Sequence, residues 1–228
     1  MFIRKGLMTM NNLIIAVDGP AGSGKSTISK IIASELNILY IDTGAMYRAL
    51  TLKIVSNNTN FNNRDELNKI LQNTSIDFKD NHIFLDGEVV DDEIRSNEIS
   101  TNVSDIAKIR EVREKLVEIQ KSIARNTSVI MDGRDIGSFV LPDAKYKFYI
   151  TASIEERGNR RYRELTKKGY NTSLDSIINE IKRRDTIDST REFAPLIKHR
   201  DAIEIDTTNK NISEVVSEIL NIVTRGEK

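Results

Sequence analysis

A loop that must curl back on itself governs what this chain can fold into. Gly19-Pro20-Ala21-Gly22-Ser23-Gly24-Lys25-Ser26 fits the pattern G-x-x-x-x-G-K-S/T and directly follows the apolar run Leu13-Ile14-Ile15-Ala16-Val17 and Asp18. Thr27 to Leu36 is compatible with a helix. A strand, a glycine-rich loop and a helix in that order make a phosphate loop, whose backbone N–H groups turn inward toward anionic oxygens. Lys25 is then placed to reach β and γ phosphates, and the Ser26 hydroxyl to touch a magnesium ion bound with them. The expected ligand is a nucleoside triphosphate held by residues Gly19 to Thr27.

Short apolar runs recur at Ile38 to Ile41, Val129 to Met131, Tyr146 to Ile150 and Ala202 to Ile205, mostly separated by charged helical patterns. That rhythm predicts an α/β fold, a parallel sheet with helical crossovers. Asp18, Asp42 and Asp132 each follow such a run, at the strand ends where open sheets of this kind form their ligand crevice. Between Ser75 and Asp92 the pattern changes to three short strand-like pieces, joined by Asp80-Asn81 and Asp86-Gly87. These dipeptides favour hairpin turns, so a small antiparallel meander is expected inside the α/β frame, either as a stability patch or as a cover for a substrate. Thr101 to Ala124 has apolar residues at helical spacing and reads as one long helix or two stacked ones. Glu155 to Lys168 carries Arg157, Arg160, Arg161 and Arg163 and stops near Gly169, and Ser173 is placed to cap the helix that follows.

A chain of 228 residues can bury a full core in one domain with a small insert. Lys plus Arg and Asp plus Glu number 34 each, so total charge points to neither a nucleic-acid nor a membrane partner and positive clusters must be read locally. The absence of cysteine excludes disulfides, thiolate metal sites and cysteine nucleophiles. No run reaches bilayer-spanning length and Met1 to Asn12 lacks a signal-like apolar segment, which predicts a cytoplasmic protein. Met8 and Met10 make the first nine residues a disordered extension or a start-site choice. His82 and His199 sit in no motif and read as ordinary polar residues; nothing suggests a zinc site.

A phosphate loop alone does not separate kinases, ATPases and GTPases. The guanine-reading segment N-K-x-D has its nearest approach at Asn209-Lys210-Asn211-Ile212, which lacks the required acid. What the chain offers is arginines set among aspartates: Arg48, Arg113, Arg134, Arg184 and Arg191. Planar guanidinium groups bind phosphate oxygens bidentately and stay ionised, so a second phosphate site beside the first is implied. Asp42-Thr43-Gly44-Ala45-Met46-Tyr47-Arg48 follows the second strand, with Asp42 or Thr43 able to cap a helix. Asp132-Gly133-Arg134-Asp135-Ile136-Gly137 follows the third, and its glycines suggest backbone crowded against a ligand. Arg184, Asp188 and Arg191 would share a helical face if that segment is helical throughout.

Together these stretches, with Val112-Arg113-Glu114 and the run from Arg184-Asp185 through Asp188-Ser189-Thr190-Arg191 to Ala194-Pro195-Leu196, resemble the bacterial cytidylate kinase family from Leu13 to the C-terminal helix. The resemblance implies one nucleoside monophosphate kinase domain over residues 11–228, with a phosphate-loop parallel sheet flanked by helices, an antiparallel insert within 71–97 and a helical lid at 155–170. It implies a monomer that moves a phosphoryl group from ATP with Mg2+ to CMP or dCMP. By similarity, Thr43, Arg48, Arg134, Arg184 and Arg191 would hold the monophosphate and its nucleoside, with Asp188 toward the sugar. Ser104, Arg113 and Asp135 match the family's cytosine-reading residues. Lys25, Arg157 and Arg161 would neutralise the transferring group, while Asp42 and Asp132 organise magnesium-bound water or nearby arginines. The remaining readings are a kinase for another small acceptor and a regulatory module that binds ATP without turnover.

Overall fold

The computed structural model describes residues 12–79 and 82–226. In chain order the elements are β1 (Ile14–Asp18), α1 (Lys25–Leu36), β2 (Leu39–Asp42), α2 (Thr43–Ser56), α3 (Arg64–Gln72), β3 (Ile76–Lys79), β4 (His82–Leu85), β5 (Glu88–Val89), α4 (Asn97–Ala107), α5 (Arg110–Ala124), β6 (Val129–Gly133), β7 (Tyr146–Thr151), α6 (Ile154–Lys167), α7 (Leu174–Thr190), β8 (Ile203–Asp206) and α8 (Ile212–Arg225). A π-helical turn spans Ile136–Val140.

The five apolar runs become a parallel sheet in the order β2-β6-β1-β7-β8. Its strands alternate between two cores. Ala16, Ile41 and Met131 face a larger cluster with α2, α4 and α5, while Ile15, Val17, Ile130 and Phe148 face a second one with α1 and α8. Both faces are therefore dry at the central strands β1 and β6, which is why those read as continuous apolar runs, whereas the edge strand β8 leaves Glu204 and Asp206 exposed. Each fully buried Ile or Val contributes about 1.5–3 kcal/mol. The chain leaves β1 toward β2 and later passes it on the other side through β7 and β8. That reversal opens a crevice beyond the carboxyl end of β1.

The expected meander is present as a second sheet, β3-β4-β5, antiparallel throughout. Asp86 and Gly87 make its second turn with φ of 53° and 92°. The first turn, Asp80-Asn81, lies outside the described residues, as do the first nine residues with their expected extension or start-site choice. Ile76, Ile83 and Val90 join the larger core, so the meander's inner face is anchored to the main body.

Thr101 to Ala124 is two helices. Ile109 takes φ −71° and ψ 127°, outside helical geometry, and no side chain caps α5 there. Ser173 does cap α7, accepting from Ser176 N. Arg191, expected on the face of α7, lies just past its end with ψ 140°. Among the described residues, no helix is long and apolar enough to cross a membrane.

Candidate functional site

The loop after β1 bends through Gly24, whose φ of 89° is left-handed, before Lys25 opens α1. A side chain at Gly24 would strain that entry. Lys25 is buried and its Nζ donates to the Pro20 carbonyl at 3.1 Å, folding over its own loop. Burial pushes its ammonium down to about 7, Arg134 pushes the same way, and Asp132, Asp42 and Asp188 oppose them. An anion arriving in the loop would restore the charge.

Asp132, at the end of β6, accepts from Ser26 Oγ and from Tyr40 Oη, each at 2.7 Å. Burial, with Asp42 nearby, pushes the Asp132 carboxyl up to about 6 against Lys25 and these two hydroxyls. The Asp132 carbonyl also accepts from Thr43 Oγ1 at 2.8 Å, which ties the first turn of α2 to β6. Asp42 is the cap of α2, accepting from Ala45 N at 3.0 Å. Sequence reasoning passed over Tyr40. Strand alternation held the signal, because Tyr40 and Asp42 share a face of β2.

Arg134, after β6, acts on the Lys25 charge, and Arg48 on α2 and Arg184 on α7 lie beside Arg134. Arg134 Nε donates to Asp188 Oδ2 at 2.7 Å, and that carboxylate keeps its charge despite burial. The other two have no such partner. Among the described residues, no carboxylate lies within 4.0 Å of Arg48 or Arg184, and Arg184 Nε is buried without a hydrogen bond. Burial pushes Arg184 down to about 10, with Arg134 and Arg48 adding to the effect. Arg48 is pushed down by burial too; Arg134, Arg95 and Arg161 add to the effect and Asp42 opposes it. Mutual repulsion among guanidiniums records their convergence, and an anion is what would relieve it.

A third group lies beyond. Arg113, 1% exposed, donates from Nη2 to Asp135 Oδ2 and from Nη1 to the Ala107 carbonyl at 3.2 Å. Arg191 Nη2 takes the other Asp135 oxygen at 3.2 Å. The Tyr47 ring lies under the Arg113 guanidinium at 5.3 Å, and Ser104 on α4 is buried. Asp188 stands between the clusters, on Arg134 through one oxygen and 3.9 Å from Arg191 through the other. The chain-distant Arg134 partner, rather than a ladder within α7, is what fixes it. The crowding at Gly133 is internal to the protein: a Cβ there would come within 2.6 Å of both Thr43 Oγ1 and Ile136 Cδ1.

Asp18 joins the donor loop to this region. Its oxygens accept from Ile136 N at 2.7 Å and Gly137 N at 2.8 Å, while burial pushes its carboxyl up to about 7 against those two bonds. The arginines of α6 divide. Arg157 is buried, with Nη1 on Asp185 Oδ2 at 2.6 Å and on the Ala21 carbonyl at 3.2 Å. Arg160, named with its neighbours but given no role from the sequence, bonds to the Thr207 carbonyl at 2.7 Å and to the Ser23 carbonyl at 3.4 Å. Its spacing of three from Arg157, on the same helical face, was the available signal. Arg161 pairs with Glu164 at 2.9 Å and keeps 38% of its side chain exposed. His82 and His199 meet Asp91 and Asp201, at 2.5 Å and 3.7 Å, away from these clusters.

A phosphate loop between β1 and α1, faced by unpaired guanidiniums at the carboxyl ends of a parallel sheet, defines a phosphate-loop phosphotransferase. The chain belongs to the cytidylate kinase family, whose model matches residues 15–225. It is 61% identical over 212 residues to a cytidylate kinase of Clostridioides difficile (strain 630), covering 93% of this chain and 98% of that one. It is 54% identical over 209 residues to a cytidylate kinase of Alkaliphilus oremlandii (strain OhILAs), covering 92% and 96%. An uncharacterized protein from Eubacterium ventriosum ATCC 27560 shares the fold, with a TM-score of 0.52 and 14% identity over 94% of this chain and 99% of that one.

Proposed function

We propose that the chain phosphorylates CMP and dCMP with ATP, and that the three side-chain clusters divide the work. The observation that carries the residue assignment is the pair of arginines with no carboxylate partner among the described residues, Arg48 and Arg184, set beside Arg134. They form an anion site opposite the triphosphate loop, suited to the acceptor monophosphate. Residues Gly19 to Thr27 hold ATP, with Lys25 leaving the Pro20 carbonyl for the β and γ phosphates.

The acceptor oxygen is already anionic, so no general base is needed. Thr43, Arg48, Arg134 and Arg184 aim it at the γ phosphorus in line, and Asp188 with Arg191 borders the nucleoside. Asp135 accepts from the cytosine 4-amino group, while Arg113, whose Nε is buried without a partner, donates to ring acceptors and Ser104 lies alongside. Uracil puts an oxygen where that amino group was, leaving Asp135 opposite another acceptor. Arg157 and Arg161 belong to the lid at residues 155–170 whose closure excludes water. Arg157 needs release from Asp185 or acts with it in place; Arg161 has only an exposed partner to leave.

Ser26 Oγ with Asp132, and Asp42 through water, suit a magnesium ion, which neutralises phosphate charge when bound. Among the described residues there is no cluster of three or more acidic or imidazole side chains that could hold a metal ion. The test is initial rates at saturating ATP with CMP, dCMP, UMP, AMP and shikimate. Cytidine nucleotides should be strongly preferred, and a better acceptor among the others would overturn the assignment.

A further inference from the structure

Beyond α7 the chain makes a short strap, Arg191 to Leu196. Ala194 holds a φ of 50° although it is followed by Pro195, a combination that both the Cβ and the proline ring oppose. Something must hold it. The turn is closed by Arg191 Nε donating to the Ala194 carbonyl at 2.7 Å and by Leu196 N donating to the Asp188 carbonyl at 2.7 Å.

The strap is pinned on its outer side by an aromatic pair. Phe193 meets Phe139 edge to face, with ring centroids 4.9 Å apart and planes at 74°. Arg110 covers the Phe193 ring at 5.1 Å and Lys121 covers Phe139 at 5.6 Å. Phe139 belongs to the π-helical turn, and its N–H donates to the Asp135 carbonyl at 2.9 Å. The two rings therefore join the two backbone segments whose side chains meet as Arg191 and Asp135.

That placement has a chemical consequence for Asp135. Its two oxygens are divided between Arg113 Nη2 and Arg191 Nη2, so a lone pair on each remains for a ligand. Arg113 Nε lies on the same edge of its guanidinium as Nη2 and is unoccupied. Released from Arg191, the Asp135 carboxylate could close onto both donors of that edge as a fork, the geometry guanidinium and carboxylate prefer. Such a closure would consume the acceptor meant for the 4-amino group and the donor meant for the ring together.

We propose that Phe139 and Phe193 form a clasp that keeps Asp135 shared between two arginines, and are thereby positioning residues for selection of cytosine over uracil. The inference rests on the assignment of Asp135 as the base reader. Phe193→Ala should lower the CMP-to-UMP ratio of kcat/KM about threefold to tenfold, the range one edge-to-face pair supports. The loss should appear in the KM for CMP, with kcat and the KM for ATP unchanged. Phe193→Tyr, which keeps the ring edge, should restore the ratio, and Phe139→Ala combined with Phe193→Ala should lose no more than either alone.

An unchanged ratio in Phe193→Ala, equal losses in kcat and in the KM for ATP, or additive losses in the double variant would overturn the clasp. Should Phe193→Ala not fold, Phe193→Leu carries the same expectations and the same refutations. If the unmodified protein itself fails to prefer CMP, the base-reading assignment fails; a normal preference that ignores Phe193 sinks the clasp alone.

Discussion

Replacing Arg184 by methionine should make the empty protein more stable and the enzyme worse. Arg184 is held partly buried beside Arg134 and Arg48, its Nε has no partner, and its guanidinium is pushed down to about 10. At about 1.4 kcal/mol per factor of ten in proton affinity, that displacement amounts to about 3 kcal/mol of strain at neutral pH. Partial exposure and salt screening reduce it to about 1–2 kcal/mol. The sign follows from linkage: a base depressed by folding binds fewer protons in the folded state, so its penalty is complete below about 10 and fades only as pH rises through the window above. Methionine keeps the apolar stem and removes the charge. Melting temperature should rise about 2–8 °C without ligand, since about 1 kcal/mol moves a chain of this size by 2–4 °C. The gain should shrink in high salt. Losing a charged partner for the acceptor phosphate costs about 2–5 kcal/mol, so the KM for CMP should rise roughly 30-fold or more. Differential scanning fluorimetry with and without CMP reads both effects in one series. A variant that melts at or below the parent and still shifts upward with CMP would refute the idea that Arg184 is an unneutralised cation waiting for an anion.

Asp132→Asn can accept from only one of the two hydroxyls that now donate to the carboxylate, so the proton of Ser26 or of Tyr40 loses its acceptor and kcat should fall about 100-fold; a rate within about twofold of the parent would remove Asp132 from the reaction. In the empty protein burial pushes the Lys25 ammonium well below its ordinary value, so at pH 8 binding of a triphosphate should draw a proton onto it. Calorimetric titration of ATP at that pH, in buffers of differing ionisation enthalpy, should show the uptake, and heats independent of buffer would contradict it.

How far this could be read from the sequence depended on what each signal was made of. The sheet was legible chiefly through its central strands β1 and β6, which are buried on both faces and appear as nearly unbroken apolar runs. Whether Thr101 to Ala124 made one helix or two stayed open, because Ile106, Ile109, Val112 and Leu116 keep their helical phase across the break and no capping side chain announces it. The same arithmetic misplaced Arg191, since a spacing of three from Asp188 assumes a helix that in fact ends at Thr190. Thr43, Arg48, Arg134 and Asp135 stood out because they follow strand ends directly. The Arg157–Asp185 pair joins residues on separate helices. No local pattern encodes such a meeting.

A net charge of zero conceals how the site obtains its polarity. The chain supplies a carboxylate for Arg134, for Arg113 and Arg191 together, and for Arg157. Those pairs are the ones that fix geometry: Asp188, Asp135 and Asp185 each bind a guanidinium from a different element. Among the described residues, Arg48, Arg184 and Lys25 have no such partner, and all three are pushed below their ordinary values by burial. On the assignment proposed above, these three cations are the ones that face where phosphates would lie. Two apolar clusters on opposite faces of the sheet hold this repulsion in place, so stability comes from regions remote from the reaction and is lowered where the reaction occurs. An acceptor and a donor that fill both anion sites would each ease the strain felt by the other's cations, because Arg134 opposes protonation of both Lys25 and Arg184. Binding of either substrate should therefore depend on the charge state imposed by the other, through a single guanidinium that touches both sites electrostatically.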